Sequence, residues 1–453
     1  MIKVRFAPSP SGYVHIGNIK TAIFNWLFLL SQKQKGEDGL FLLRIDDTDL
    51  ARTKQEYIDA VKEDVKWFSI SWDETFHQSS RFDRYNECLE KLKADGRVYV
   101  CYETAEELEA KRKRQIARKQ APVYDRSALK LTDEDKKRLE AEGRKPYWRF
   151  KLNEGDVVFN DLVKGECKFN MKHLSDPVII REDGTYLYNF PSVIDDMDSG
   201  ITHIIRGQDH LTNTAMQIQM FEALGAKFIP QFAHYPMILN AEGHKFSKRE
   251  SDISIRNLKN DGIEAMTIAN VLVSLGSANG GKMHKSMEEL AKNFDLSNYG
   301  SAFSRFDMET FAHENGKLLR ILDFDDVKDR LVAIDGRIDA KFWDMVKGNI
   351  NKLSDISYWV NVVYGDIETP ALSSDEKSFL NSALSSLPTD GYNEGTMKIW
   401  ANAITDATGK KGRDLYHPIR LALTGIEFGP ELSALLPLIG KEKIEERLRK
   451  AIK

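Results

Sequence analysis

Cysteine is scarce: Cys88, Cys101 and Cys167 are the three in 453 residues. An odd count at scattered spacing offers no disulfide framework and no zinc knuckle. Free thiols suit a reducing compartment, so the cytoplasm is the expected location. Long apolar runs are missing too. The most apolar early stretch, Ile19 to Leu30, is short and contains Lys20 and Asn25, so it reads as a buried helix rather than a membrane span. The N-terminus enters a strand pattern directly, with no basic n-region or small-residue cleavage site, and no secretory leader is expected. Neither charge dominates: 65 Lys and Arg stand against 69 Asp and Glu, a formal net charge of −4. That excludes a uniformly basic nucleic-acid binder and leaves RNA contact to local patches on a mildly acidic body. There are no internal repeats and no low-complexity tracts. What remains is a globular composition, 42% hydrophobic and 30% charged, long enough for two or more domains with substantial cores.

The stretch from Arg5 to Asn18, RFAPSPSGYVHIGN, organises the rest. Val4 and Phe6 end a β-prone run, Pro8 and Pro10 stop it, and Gly12 frees a loop. From His15 the period changes: Ile16, Ile19, Ile23, Trp26, Leu27 and Leu30 recur at helical spacing. His15, Gly17 and Asn18 then fall at a helix N-terminus, where unpaired N–H groups and the positive dipole end favour an anion. A βα loop with a surface His gives the same pattern.

Far down the chain, Lys245-Phe246-Ser247-Lys248-Arg249 follows Asn240 and Gly243. Three cations in a Gly-flanked loop suit a polyphosphate, or simply a solvated turn. Together the two stretches resemble the HIGH and KMSKS signatures of class I aminoacyl-tRNA synthetases, with Asn18 in place of the last His. Ala7 to Gly12 and Leu43-Arg44-Ile45-Asp46-Asp47-Thr48-Asp49 narrow the resemblance to the glutamyl-tRNA synthetase family. It covers nearly the whole chain in the family's order.

The resemblance implies an α/β fold: a Rossmann-like parallel-sheet catalytic domain with an α/β connective insert, followed by a mainly α-helical anticodon-binding region. The expected boundaries are 1–80 and 188–240 for the two catalytic halves, 81–187 for the insert that takes the acceptor stem, 241–307 for the KMSKS-type loop and stem contact, and 308–453 for the helical region. Residue patterns agree. Leu40 to Ile45 and Ile201 to Ile205 read as short buried strands that deliver Asp46 and Arg206 at their carboxyl ends, where α/β ligands bind. From about Met308 the apolar stripes are helical, as in Phe342 to Ile350, Tyr358 to Val363 and Met397 to Thr405.

Site assignments follow from matching positions. Arg5, Ser9, Asp46, Tyr188, Ser192 and Arg206 match the family's glutamate-contacting positions; Asp46 stands for a usual Glu and Ser192 for a frequent Asn, and near the ATP or tRNA end Gln208 stands for a usual Glu. Two Arg residues suit a substrate with two carboxylates, since guanidinium pairs bidentately with each. Asp49, with Thr48, is expected to cap the following helix. His15, Gly17, Asn18 and Lys248 are expected to contact ATP, and His15, Asn18, Lys245 and Lys248 to serve catalysis, with Mg²⁺ sharing the phosphate charge and no protein zinc site. Lys111, Arg112 and Arg114 in the charged span 103–142, and Lys410, Lys411 and Arg413, are either tRNA-phosphate contacts or solvated basic faces. The implied reaction is ATP-dependent activation of L-glutamate and transfer to tRNA(Glu), with tRNA(Gln) as the alternative acceptor, by a monomer. An adenylating enzyme with the same core but no tRNA would lack the helical region from Met308 onwards, and a non-catalytic tRNA binder would not need Arg5, Arg206, His15 and Lys248 together.

Overall fold

The computed structural model describes residues 1–239, 242–243, 254–278, 281–300, 304–305, 307, 309–368, 371–389 and 391–453. The segment Lys245 to Arg249, including Lys245 and Lys248, lies outside the described residues, as does Asn240. The chain forms two compact units, residues 1–261 with 268–307 and residues 262–267 with 308–453.

The first unit begins with three parallel strands, β1 (Ile2–Phe6), β2 (Gly39–Ile45) and β3 (Glu74–His77), in spatial order β1-β2-β3. Successive residues Phe41, Leu42, Leu43, Arg44 and Ile45 are all buried, so β2 is covered on both faces and reads as a continuous apolar run instead of an alternating one. Helix α1 (Ile16–Gln34) connects β1 to β2 and buries Ile16, Ile19, Ile23 and Leu27. Helix α2 (Gln55–Trp67) starts later than the sequence suggests. Its N-cap is Lys54, so Thr48 and Asp49 do not cap it. Asp49 instead accepts from Arg52 Nε at 2.6 Å, and the Thr48 hydroxyl donates to the Tyr186 carbonyl at 3.3 Å.

Next come α3 (Phe82–Ala94), β4 (Val98–Cys101), α4 (Ala105–Ala117), α5 (Asp133–Ala141), β5 (Tyr147–Phe150), the hairpin β6 (Asp156–Asp161) with β7 (Gly165–Asn170), and β8 (Val178–Ile180). Strands β4, β5 and β8 form an antiparallel sheet. Helix α4 buries none of its residues and is fixed at its start by a Thr104–Glu107 capping box. Then follow α6 (Asn189–Asp198), β9 (His203–Gly207), α7 (Leu211–Leu224) and β10 (Gln231–Tyr235), with β9 and β10 parallel and Arg206 opposite His234. β9 runs beside β1: the Thr202 N–H donates to the Lys3 carbonyl at 2.9 Å, and the Lys3 N–H to the Thr202 hydroxyl at 2.8 Å. The strands form two hydrogen-bonded sheets, β1-β2-β3 and β7-β6-β10-β9, which meet where β1 runs beside β9; taken across that seam, the order β3-β2-β1-β9-β10 is that of a doubly wound sheet with its switch point between β1 and β9.

The expected insert shares a core with the flanking segments and also holds a small cluster of its own, Cys101, Ala128 and Tyr147. Asp161, at the end of β6, pairs with Phe232 of β10, so the hairpin extends the catalytic sheet. Tyr85, Leu89 and Leu92 of α3 share one core with Phe190, Ile194, Ile204, Phe221 and Phe232. Burial, not chain order, decides which residues belong to this core.

The second unit is helical. Its described helices include Glu309–Ile321, Phe324–Ile334, Ile356–Tyr364, Ser374–Ser385, Thr396–Thr408, Arg413–Thr424 and Lys441–Ile452. Trp343, Trp400, Ile419 and Leu448 are fully buried. The helix expected from Phe342 to Ile350 spans Ala340–Val346 and then tightens to a 3₁₀ turn, Lys347–Asn349. Gly409 (φ +73°) and Gly425 (φ +78°) end two helices in the left-handed conformation that glycine adopts without strain.

Candidate active site

The first element of the site is the start of α1. His15 is the N-cap, with extended backbone, and its Nδ1 accepts the Gly17 N–H at 3.0 Å. That bond uses the Nδ1 lone pair and leaves Nε2 as the ring's N–H. Gly17 is required there: a Cβ would approach His15 Cε1 to 2.9 Å and Nδ1 to 3.1 Å. Asn18 lies in the first turn, its N–H on the His15 carbonyl at 3.0 Å. The chain beyond the Lys245–Arg249 segment returns to this point. His15 forms a β-bridge with Ser254, and the Ile255 N–H donates to the Val14 carbonyl at 2.9 Å.

The second element is a buried network of guanidiniums and carboxylates at the carboxyl ends of β1 and β2. Arg44 is wholly buried; it gives Nε and Nη2 to Asp46 at 2.6 and 3.2 Å, Nη1 to Asp196 at 2.7 Å and Nη2 to the Ser192 hydroxyl at 3.3 Å. Arg5 donates Nε to both Asp196 oxygens, at 3.2 and 3.4 Å, and Nη2 at 3.4 Å. Asp195 accepts from Gln78, Arg81 and the Tyr85 hydroxyl at 2.8, 2.7 and 2.8 Å. Burial opposes ionisation of Asp196, but Arg5 and Arg44 keep its carboxyl below the usual range. Burial pushes Asp46 up to about 6, even against Arg44. Arg44 was not anticipated as a site residue; a charge amid the apolar run of β2 was the available signal.

The third element is Arg206. It is buried, yet its hydrogen-bond partners are all neutral: the Tyr188 hydroxyl at 3.1 Å, Thr214 Oγ1 at 2.6 Å, Gln217 Oε1 at 2.7 Å and His234 Nε2 at 3.3 Å. Burial lowers its pKa, and a cation so enclosed favours an anionic guest. His210 packs against Tyr188 and is pushed down to about 4 by burial and then by Arg206, so it adds no competing positive charge.

Ser9, Asp46 and Tyr188 line one cavity of about 170 Å³, together with Pro10, Arg52 and Arg181. A larger cavity, about 240 Å³, is lined by Asn270, His284, Asn298 and Tyr299 and shares no residue with it. The smaller one carries three of the residues expected to contact glutamate; Arg5, Ser192 and Arg206 are not among its lining residues. The structure thus gathers Ser9, Asp46 and Tyr188 at one cavity, while Arg5 and Ser192 face Asp196 and Arg44. The basic clusters divide. Lys111 turns inward to Glu103, Asp125 and the Ser127 hydroxyl, and Lys410 lies 4.9 Å over the Phe379 ring. Arg112 makes one long 3.5 Å contact with Glu109; it, Arg114, Lys411 and Arg413 are exposed. Gln208 accepts from Lys164 Nζ at 2.6 Å. Among the described residues no cluster of three His, Cys, Asp or Glu could hold a metal ion, and no helix is long and apolar enough to cross a membrane.

A doubly wound sheet with a His-capped helix after its first strand is the architecture of a class I aminoacyl-tRNA synthetase, and residues 1–313 match the family described as tRNA synthetases class I (E and Q), catalytic domain, with residues 315–452 matching an anticodon binding domain. Glutamate–tRNA ligase 2 of Bartonella bacilliformis is 45% identical over 99% of this chain and 100% of its own length, and the enzyme of that name from Beijerinckia indica is 48% identical over 98% of each. A glutamate tRNA ligase from Elizabethkingia meningosepticum, crystallised in complex with its amino acid, superposes with a TM-score of 0.84 at 26% identity, covering 100% of this chain and 99% of that one. The chain belongs to the glutamate–tRNA ligase family of class I aminoacyl-tRNA synthetases.

Proposed function

We propose that the first unit binds L-glutamate and ATP, forms glutamyl-adenylate, and passes the glutamyl group to the 3′-terminal adenosine of tRNA(Glu). The observation that carries the reading is Arg206, a buried guanidinium with only neutral partners beside Tyr188. It supports recognition of the glutamate side-chain carboxylate. Arg5 supports the site from the neighbouring strand through Asp196, and Asp46 at the cavity offers the negative group that a substrate ammonium requires.

In the first step a glutamate α-carboxylate oxygen attacks the α-phosphorus, and the bond to the leaving pyrophosphate breaks. In the second, a terminal ribose hydroxyl, the 2′-OH in this class, attacks the acyl carbon and AMP leaves. Both nucleophiles are substrate oxygens, so the protein's contribution is placement and charge stabilisation. His15 Nε2–H and Asn18 at the start of α1 face the phosphates. Lys245 and Lys248 are assigned the leaving pyrophosphate on the residue pattern, where Mg²⁺ brought with the nucleotide would share the phosphate charge. Exposed Arg112, Arg114, Lys411 and Arg413 remain the candidate tRNA-phosphate contacts. Lys111 and Lys410 are the weaker candidates, since both engage the protein itself. Activation is expected to need tRNA, and a cytoplasmic monomer is the expected form.

The deciding experiment is glutamate charging of purified tRNA(Glu) and tRNA(Gln) separately, with ATP–pyrophosphate exchange run with and without tRNA. Charging of tRNA(Glu) alone is expected. Charging of both, or of tRNA(Gln) alone, would replace the acceptor assignment. Exchange without any charging would remove the tRNA reading.

A further inference from the structure

Arg206 is oriented from behind by groups that the activation reaction does not use. His234, on β10 opposite Arg206, brings Nδ1 within 2.6 Å of Asp161 Oδ2, and both side chains are fully buried. The other oxygen of Asp161 accepts three backbone N–H groups, from Val163 and Lys164 at 2.9 Å and from His234 at 3.1 Å. Burial works against its ionisation, but the His234 hydrogen bond and those backbone donors hold this carboxyl below its usual range, while burial lowers the pKa of His234 and so favours the neutral ring. An ionised carboxylate only accepts, so His234 must carry its proton on Nδ1, and Nε2 presents a lone pair. That lone pair faces Arg206 Nε at 3.3 Å and the Thr214 hydroxyl at 3.0 Å. The Thr214 hydroxyl proton has the His234 lone pair, shared with Arg206 Nε–H, as its nearer acceptor and the His210 carbonyl at 3.4 Å as its farther one, and the oxygen accepts from Arg206 Nη2 at 2.6 Å.

The guanidinium has five N–H groups. Nε–H goes to His234, the two on Nη2 to Thr214 and Gln217, and one on Nη1 to Tyr188. One Nη1 N–H and the Tyr188 hydroxyl hydrogen remain, which is the donor pair a carboxylate would take. The opposite His234 tautomer would aim Nε2–H at Arg206 Nε–H, donor against donor. We propose that Asp161 and His234 are positioning residues: they lock one tautomer of His234 and, through it and Thr214, aim Arg206 at the glutamate side chain. The inference rests on the glutamate reading above. It makes the β6–β7 hairpin, which lies outside both catalytic halves in chain order, a determinant of amino-acid recognition.

The test is steady-state kinetics of the full-length protein with tRNA(Glu), varying glutamate and ATP separately. Asp161→Asn keeps an oxygen for the three backbone N–H groups but replaces the other by an amide donor, which reverses the His234 tautomer. We expect the glutamate KM to rise about tenfold or more, as for a hydrogen bond lost to a charged group, with the ATP KM unchanged. A merely structural pair would instead lower kcat and Tm while moving both KM values together, and that result overturns the proposal. Thr214→Val should reproduce the glutamate-specific defect and Thr214→Ser should restore it; this pair decides the matter if Asp161→Asn does not fold. Arg206→Met separates the two readings. If it leaves the glutamate KM unchanged, the glutamate seat itself is misassigned. If it raises that KM while Asp161→Asn and Thr214→Val do not, the seat stands and the positioning role falls.

Discussion

Two guanidiniums are buried in parallel strands of the same unit, and their surroundings are opposite. Arg44 on β2 meets Asp46 and Asp196 within hydrogen-bonding distance and Asp195 at 3.9 Å. Burial alone would lower its pKa, but Asp46, Asp196 and Asp195 raise it well above the usual value. Arg206 on β9 has no carboxylate among its hydrogen-bond partners, and burial lowers its pKa. A guanidinium saturated with counter-charge belongs to the scaffold, because removing it strands several buried anions. One held only by neutral acceptors is prepared for a charged ligand, because the ligand supplies the missing counter-charge.

The contrast is sharpest in paired substitutions. Arg44→Met should destabilise the protein by about 3–5 kcal/mol, the cost of breaking a buried ion network from one side. Arg206→Met should leave stability nearly intact or improved. Denaturant unfolding of both variants checks this, and equal losses would erase the distinction. In kinetics the order inverts for Arg206→Met: the glutamate KM should rise about a hundredfold, as when a buried charged contact worth about 3 kcal/mol is lost. The ATP KM should hardly change.

A smaller effect is expected at the phosphate end. Gly17→Ala places a methyl group where the His15 ring now caps the helix, so the ring must turn. Pyrophosphate exchange should slow about tenfold, a loss of roughly 1.4 kcal/mol, with the glutamate KM little affected. An unchanged rate would detach His15 from catalysis.

Acid should separate the carboxylates. Asp46 is held up to about 6, so it loses its charge before Asp196, whose carboxyl is held down. Glutamate kcat/KM should fall as pH drops through about 6. The linked stability runs the other way: a raised carboxyl binds its proton more readily in the folded state, so this group's contribution declines as pH rises from the ordinary carboxyl value of 3.8 to about 6. A pH profile of kcat/KM beside one of unfolding free energy would show both signs.

The weakest expected effect lies on the surface of α4. Arg112→Ala should weaken tRNA binding a few-fold and reduce the salt slope by about one, whereas Lys111→Ala should act through its Glu103 and Asp125 partners on local stability. A salt titration of tRNA affinity for each variant distinguishes them. Equal slopes would remove Arg112 from the phosphate contacts.

Much of the fold could be read directly. β2 was legible because a strand covered on both faces is uniformly apolar, and α1 from its apolar residues at helical spacing, although the fold buries it all round from Ala22 to Leu29 and not along one stripe alone. Ser9, Tyr188 and Arg206 were singled out through their flanking motifs. Arg44, Thr214, Gln217, Asp161 and His234 were not. Each reads locally as an ordinary polar residue in a strand, helix or loop. Their meaning lies in contacts such as Asp161 to His234, separated by 73 positions, and Arg44 to Asp196, separated by 152. The start of α2 was also misplaced, since Thr48 and Asp49 offer a good local cap that the chain uses for Tyr186 and Arg52 instead.

By itself, then, the sequence determined the class of sheet, the helical character of the second unit, the helix start at His15 and the set of charged residues available to the site. Those are consequences of periodicity, turn chemistry and short-range order. Only the tertiary structure decided which charges cancel and which stay open. Burial multiplies the effect of a neighbouring charge, and neighbours across parallel strands come from distant parts of the chain. Arg44 and Arg206 are the same residue in similar strand contexts; the company each finds after folding surrounds one with carboxylates and leaves the other among neutral acceptors.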